Sequence, residues 1–166
     1  MSNSPQKSAK VFISSTFIDM QQERDILSKR VFPRLRRKLN GQLDAIREID
    51  LRWGVTEAMS CYEGAVNVCL EKISESVPVI FGMLGHRIGW CPTLDYANPT
   101  FESFLSTQPK GLSLTELELE YSAYLLAKQN PAQTVVLVRS KALSQSVVEA
   151  LQAKGINITM DSIDDI

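Results

Sequence analysis

The run Val77-Pro-Val-Ile-Phe-Gly-Met-Leu84 most constrains the fold, because it holds no charged or hydrogen-bonding side chain. A strand that is apolar at every position, not at every second one, belongs in the middle of a sheet covered on both faces. Pro78 must stand at its start, since proline cannot donate to a strand ladder. A bilayer needs about 20 apolar residues in a helix, so this run is a strand and not a span.

Shorter β-rich runs and helical periods alternate around it. Lys10–Ser15 reads as a buried strand that stops at small hydroxyl residues. Asp19–Leu39 reads as an amphipathic helix, with apolar residues at Met20, Leu27, Val31, Phe32, Leu35 and Leu39. Asp19 is its expected N-cap, and Pro33 is expected to kink or split it. Leu43–Leu51 is a second strand and Gly64–Ser76 a second helix. Gly85–Gly111 is a long irregular stretch in which Phe101–Leu105 marks a short element of its own. Leu114–Lys128 is a third long helix, with Ser113 and Glu116 at capping-box spacing. Gln133–Val138, Leu143–Lys154 and Ile156–Met160 read as strand, helix and strand. The order βαβαβαβαβ predicts an α/β fold: a flavodoxin-like three-layer sandwich around a five-stranded parallel sheet, order 2-1-3-4-5. Residues 1–9 read as a leader, 10–160 as the domain, and 161–166 as the start of a linker.

Composition narrows the function. With 18 Lys and Arg against 19 Asp and Glu, the net charge of -1 supplies no global field toward nucleic acid or an anionic membrane. Neither is expected as a partner. Three cysteines at irregular spacing and one histidine suit neither a disulfide framework nor a metal site, and point to a reducing, cytoplasmic compartment.

In an open parallel sheet, ligands bind beyond the carboxyl ends of the strands, where the strand order switches. Three loops belong there. Ser14, Ser15, Thr16 and Phe17 offer hydroxyls and N–H groups beside a helix start; their other role is to cap that helix. Asp50, Arg52 and Trp53 suit a phosphate and a flat ring, or an internal Asp50–Arg52 pair with Trp53 as a loop anchor. Arg87 and Trp90 stand beside His86 between glycines. On the third long helix, Glu116 and Glu120 share a face while Glu118 lies toward the apolar side. A carboxylate there has a partner or a purpose. No phosphate-binding glycine motif is present.

Ser14-Ser-Thr-Phe-Ile-Asp-Met-Gln-Gln-Glu-Arg-Asp25, Val31-Phe-Pro-Arg-Leu35, Asp50-Leu-Arg-Trp-Gly-Val-Thr56, Gly85-His-Arg-Ile-Gly-Trp90 and Ser113-Leu-Thr-Glu-Leu-Glu118 together resemble a TIR-like family. That family sits N-terminal to NACHT or related STAND NTPase modules in bacterial defence proteins and in animal proteins resembling the telomerase-associated protein and nephrocystin-3. The resemblance implies a TIR-like effector of an immune or defence receptor that cleaves NAD+ when its domains cluster. NAD+ is then the substrate, and no cofactor or metal is required. It implies Glu118 as the catalytic carboxylate, with Glu116 as second choice, and Ser14, Ser15, Thr16, Phe17, Arg52, Trp53, Arg87 and Trp90 as substrate-binding residues. The implied partners are further copies of the domain and downstream NTPase or repeat domains. A non-catalytic homotypic module and a sensor of nucleotide second messengers are the alternatives.

Overall fold

The computed structural model describes residues 8–39, 45–51, 64–76, 79–94, 98–129 and 133–140, with 145–146, 149–150 and 152–153. Strand β1, Ser8–Ser14, has a parallel neighbour on each side. On one side is β2, Ala45–Ile49, with Phe12 opposite Ile49. On the other is β3, Val79–Leu84, with Phe12 opposite Ile80 and Ser14 opposite Gly82. Beyond it lies β4, Gln133–Val138, paired with β3 from Val79–Gln133 to Leu84–Val138. The order is β2-β1-β3-β4, with every pairing parallel. The apolar run therefore forms an interior strand.

Side-chain alternation along the strands builds two cores. Val11, Ile13, Ile46 and Met83 point to one face and meet Met20 and Phe32. Phe12 and Ile80 point to the other and meet helices α3, Ala65–Ser76, α4, Pro99–Leu105, and α5, Leu114–Gln129. The result is a parallel sheet between two helical layers. Close contact between sheet and helix depends on Gly82, where a Cβ would stand 2.8 Å from Leu119 Cδ2 on α5.

Three expectations change. The sheet has four strands among the described residues, not five; the expected strand Ile156–Met160 lies outside them. The expected helix Asp19–Leu39 is three pieces: α1, Gln21–Ile26, a π-helical turn, Leu27–Val31, and α2, Phe32–Lys38. Proline lacks the N–H that would continue the ladder. The helix answers by widening before Pro33, so that the Phe32 N–H reaches back five residues to the Leu27 carbonyl. This also leaves Val31 and Leu35 exposed, although periodicity placed them inside.

Asp19 is the third change. The N-cap is Met20 and makes no side-chain cap bond. The buried Asp19 carboxylate instead accepts from Thr16 Oγ1, while its Oδ2 faces Gly85. A Cβ at Gly85 would lie 2.2 Å from that oxygen and 2.9 Å from Met20 Cε. Gly85→Ala is therefore expected to destabilise by about 1–3 kcal/mol, the usual cost of overpacking. Thermal or urea unfolding measures it, and an unchanged midpoint would show that Asp19 moves aside freely.

Candidate functional site

At the carboxyl ends of β1 and β3 the chain surrounds a cleft of about 640 Å³. The loop after β1 supplies Ser15, Thr16, Phe17 and Ile18, and the loop after β3 supplies Arg87, Ile88, Gly89 and Trp90. Helix α5 supplies Glu118, and α3 supplies Ala65 and Cys69. Leu51, just after β2, completes one wall. The lining is mainly apolar, with one carboxylate in its floor.

Glu118 reaches this position because α5 is buried over much of its girth, with Leu117 and Tyr121 in the core. Only 6% of Glu118 is exposed. Its Oε2 accepts a 2.6 Å hydrogen bond from Ser14 Oγ, at the last residue of β1. The Cys69 thiol is a second hydrogen-bond partner. Burial pushes the Glu118 carboxyl above the ordinary carboxylate range; Ser14, Cys69 and the nearby Arg24 charge oppose that shift without cancelling it. Burial, and then the Glu118 charge, push the Cys69 thiol upward. Cys69 is therefore a protonated donor and a poor nucleophile.

A second buried charge shapes the cleft wall. Arg24, on α1, is 1% exposed. Its Nε donates to Ser15 Oγ at 2.7 Å, and its two terminal nitrogens reach Asp50 Oδ1 at 2.6 Å, the Ser15 carbonyl at 3.0 Å and the Ile13 carbonyl at 3.3 Å. Its guanidinium carbon lies 4.8 Å from the Phe17 ring centroid. One side chain thus ties the end of β1, the residue after β2 and the loop between β1 and α1. The start of α5 is also tied, by the Leu114 N–H donating to the Trp90 carbonyl at 2.8 Å.

Among the expected site residues, Ser15, Thr16, Phe17, Arg87, Trp90 and Glu118 meet at the cleft, and Ser14 holds Glu118. Arg52 and Trp53 lie outside the described residues. Glu116 is placed elsewhere: it accepts from the Ser113 N–H at 2.7 Å while its own N–H donates to Ser113 Oγ at 3.3 Å, a reciprocal cap. Cys69 and Arg24 escaped the sequence reading. The signal for Arg24 was its spacing, since Met20, Arg24 and Leu27 form one helical stripe and place a cation at a core position.

Two outcomes follow from this geometry. Because the folded carboxyl binds its proton more tightly than the unfolded one, Glu118 costs stability as pH rises from the ordinary carboxylate range through its raised folded value. Glu118→Gln should melt above the wild type at neutral pH, with the gap closing as pH falls. A gap independent of pH would contradict the buried charge. In the native chain a maleimide should label the exposed Cys91 and spare Cys69 until unfolding, as site-resolved mass spectrometry would read.

Comparison with known proteins places this site in a family context. Residues 10–159 match the family model "Domain of unknown function (DUF4062)". Mouse Telomerase protein component 1 is 34% identical over 147 residues, which is 87% of this chain and 6% of the relative. The rat protein of that name is 38% identical over 115 residues, 68% of this chain and 4% of the relative. Human Putative tetratricopeptide repeat protein 41 is 25% identical over 181 residues, 97% of this chain and 13% of the relative. The chain thus spans a small part of these relatives. No solved structure matches it. By the extent of the model match, the chain belongs to the DUF4062 family.

Proposed function

We propose that this is a TIR-like effector domain that hydrolyses NAD+ to nicotinamide and ADP-ribose when copies of it cluster. The observation that carries the reading is the Glu118 carboxylate, buried in the floor of a mainly apolar cleft at the switch between β1 and β3. In the proposed reaction the bond between ribose C1′ and the nicotinamide nitrogen breaks heterolytically. Nicotinamide leaves with the electron pair, and water captures the ribosyl cation and releases a proton. A carboxylate in a water-poor cleft stabilises such a cation far better than one in bulk solvent. Glu118 would also accept from the ribose hydroxyls, with Ser14 fixing its orientation. Phe17 and Trp90 offer ring faces, and Arg87 a positive charge for the diphosphate. Arg52 and Trp53, next in sequence to Leu51 at the cleft wall, are assigned to the same ligand.

The resemblance supplies the rest of this reading: a fifth strand from Ile156–Met160 beyond β4, and downstream NTPase domains that bring copies together in the cytoplasm. The exposed apolar side chains of β4, Val135–Val138, fit a sheet with more cover on that edge. A second reading rests on the rim. Phe17, Ile18, Ile88 and Trp90 are all exposed around the cleft mouth. An apolar rim of that kind suits contact with another copy, making the domain a non-catalytic adaptor.

Nicotinamide release from NAD+ by the concentrated chain, followed by chromatography, separates the two. Turnover that falls at least about 100-fold in Glu118→Gln is expected, the scale of losing a principal electrostatic stabiliser. No turnover by crowded protein, or full turnover by Glu118→Gln, removes the enzymatic reading. In that case concentration-dependent association that is lost in Ile88→Asp supports the adaptor.

A further inference from the structure

The small net charge of the chain hides a sharp local separation. Residues 29–38 hold six of its 18 Lys and Arg and none of its 19 Asp and Glu. That leaves 12 cations against 19 carboxylates on the rest of the chain. The six lie on the π-helical turn and α2, which cover the sheet on the face away from α3 and α5.

Two of the six are engaged with carboxylates. Lys29 pairs with Asp25 at 2.6 Å, and Arg36 pairs with Glu48 while donating to the Ile46 carbonyl. Arg30, Arg34, Arg37 and Lys38 are exposed and have no carboxylate partner among the described residues. The same surface shows three aliphatic side chains, Ile26, Val31 and Leu35, at 49%, 41% and 36% exposure. The widened turn puts Val31 and Leu35 there, while Leu27, Phe32 and Leu39 serve the core.

We infer that this face binds an anionic lipid surface, with Arg30, Arg34, Arg37 and Lys38 meeting headgroup phosphates and carboxylates and Ile26, Val31 and Leu35 entering the interface between them. Clusters of four to eight Lys and Arg on a helix with apolar neighbours are the usual form of such a surface. Charge complementarity alone would also fit a nucleic acid strand. A phosphodiester backbone rewards the cations only, however, and leaves the three aliphatics in water. The segment also has no exposed aromatic ring on which a base would stack, its one ring being the buried Phe32. A bilayer rewards both kinds of side chain. Binding of this kind is peripheral and reversible, and no helix among the described residues is long and apolar enough to cross a membrane.

Cosedimentation of the 166-residue chain with vesicles tests the inference. The chain should pellet with phosphatidylcholine vesicles doped with phosphatidylserine, fail to pellet with phosphatidylcholine alone, and release as salt rises. Arg30→Glu, Arg34→Glu and Arg37→Glu combined should lower the bound fraction more than about tenfold. Ile26→Ser, Val31→Ser and Leu35→Ser combined should lower it severalfold at fixed salt while keeping its salt dependence. Circular dichroism melts establish that both variants are folded; if either is not, Arg34→Glu and Ile26→Ser alone carry the comparison. Pelleting that ignores phosphatidylserine, or none at low salt, overturns the inference. So does tighter binding to duplex DNA or single-stranded RNA that the serine variant leaves intact, which would assign the face to nucleic acid.

Discussion

The Arg24 guanidinium is the constraint around which the cleft is arranged. A full positive charge at 1% exposure is tolerable only with several close acceptors, and its acceptors come from two separate segments: residues 13–17, through the Ile13 and Ser15 oxygens and the Phe17 ring, and Asp50. The energetics favour uniqueness more than raw stability, since a buried pair such as Arg24–Asp50 roughly offsets its own desolvation. Losing one partner is different: it strands the other charge, at a cost of about 3–5 kcal/mol. The loop after β1 is held in shape by this demand, and the cleft inherits its wall from it.

Glu118 stands in the opposite condition. It has a hydroxyl and a thiol as hydrogen-bond partners and feels the Arg24 charge without contacting it, so burial dominates and the carboxyl holds its proton more tightly than a solvated one. An under-compensated acid at the floor of an apolar cleft is poised to gain from an arriving cation or hydroxyl-bearing ligand. This is the physical content of the functional reading, and it stands apart from any family resemblance. The two buried ionisable groups differ in this way: Arg24 is surrounded by acceptors, while Glu118 has fewer partners and lines the cleft.

Much of this architecture was legible in the sequence. The apolar run at Val77–Leu84, the β-rich Lys10–Ser15 and the alternation of periods pointed to the parallel sheet and to its strand order over the four strands of the described residues. The capping-box spacing of Ser113 and Glu116 and the short element near Phe101 also read correctly, because local chemistry decides them. Glu118 stood out because periodicity placed a carboxylate beside an apolar stripe. What stayed hidden depends on contacts far apart in the chain. Asp19 looked like a cap, yet Thr16 and a backbone without a Cβ at Gly85 claim it. Arg24 drew no assignment from the sequence, because its partner Asp50 lies 26 residues away. The charge separation at residues 29–38 was visible throughout, but the near-zero total drew attention from it.

The widened turn at Leu27–Val31 makes the length of this helix a functional quantity. In a regular α-helix Phe32 would stand about 140° around the axis from Leu27, whereas the five-residue bond sets the two on neighbouring ground. Closing this turn into an ordinary α-helix with every residue kept would swing everything downstream by about 100°. Phe32 would leave the interior and part of the cationic row would be driven toward it. The width of the turn, not the identity of its residues alone, therefore sets the phase of α2, and a deletion of one residue within the turn is the length change this helix can absorb without turning Phe32 out of the core.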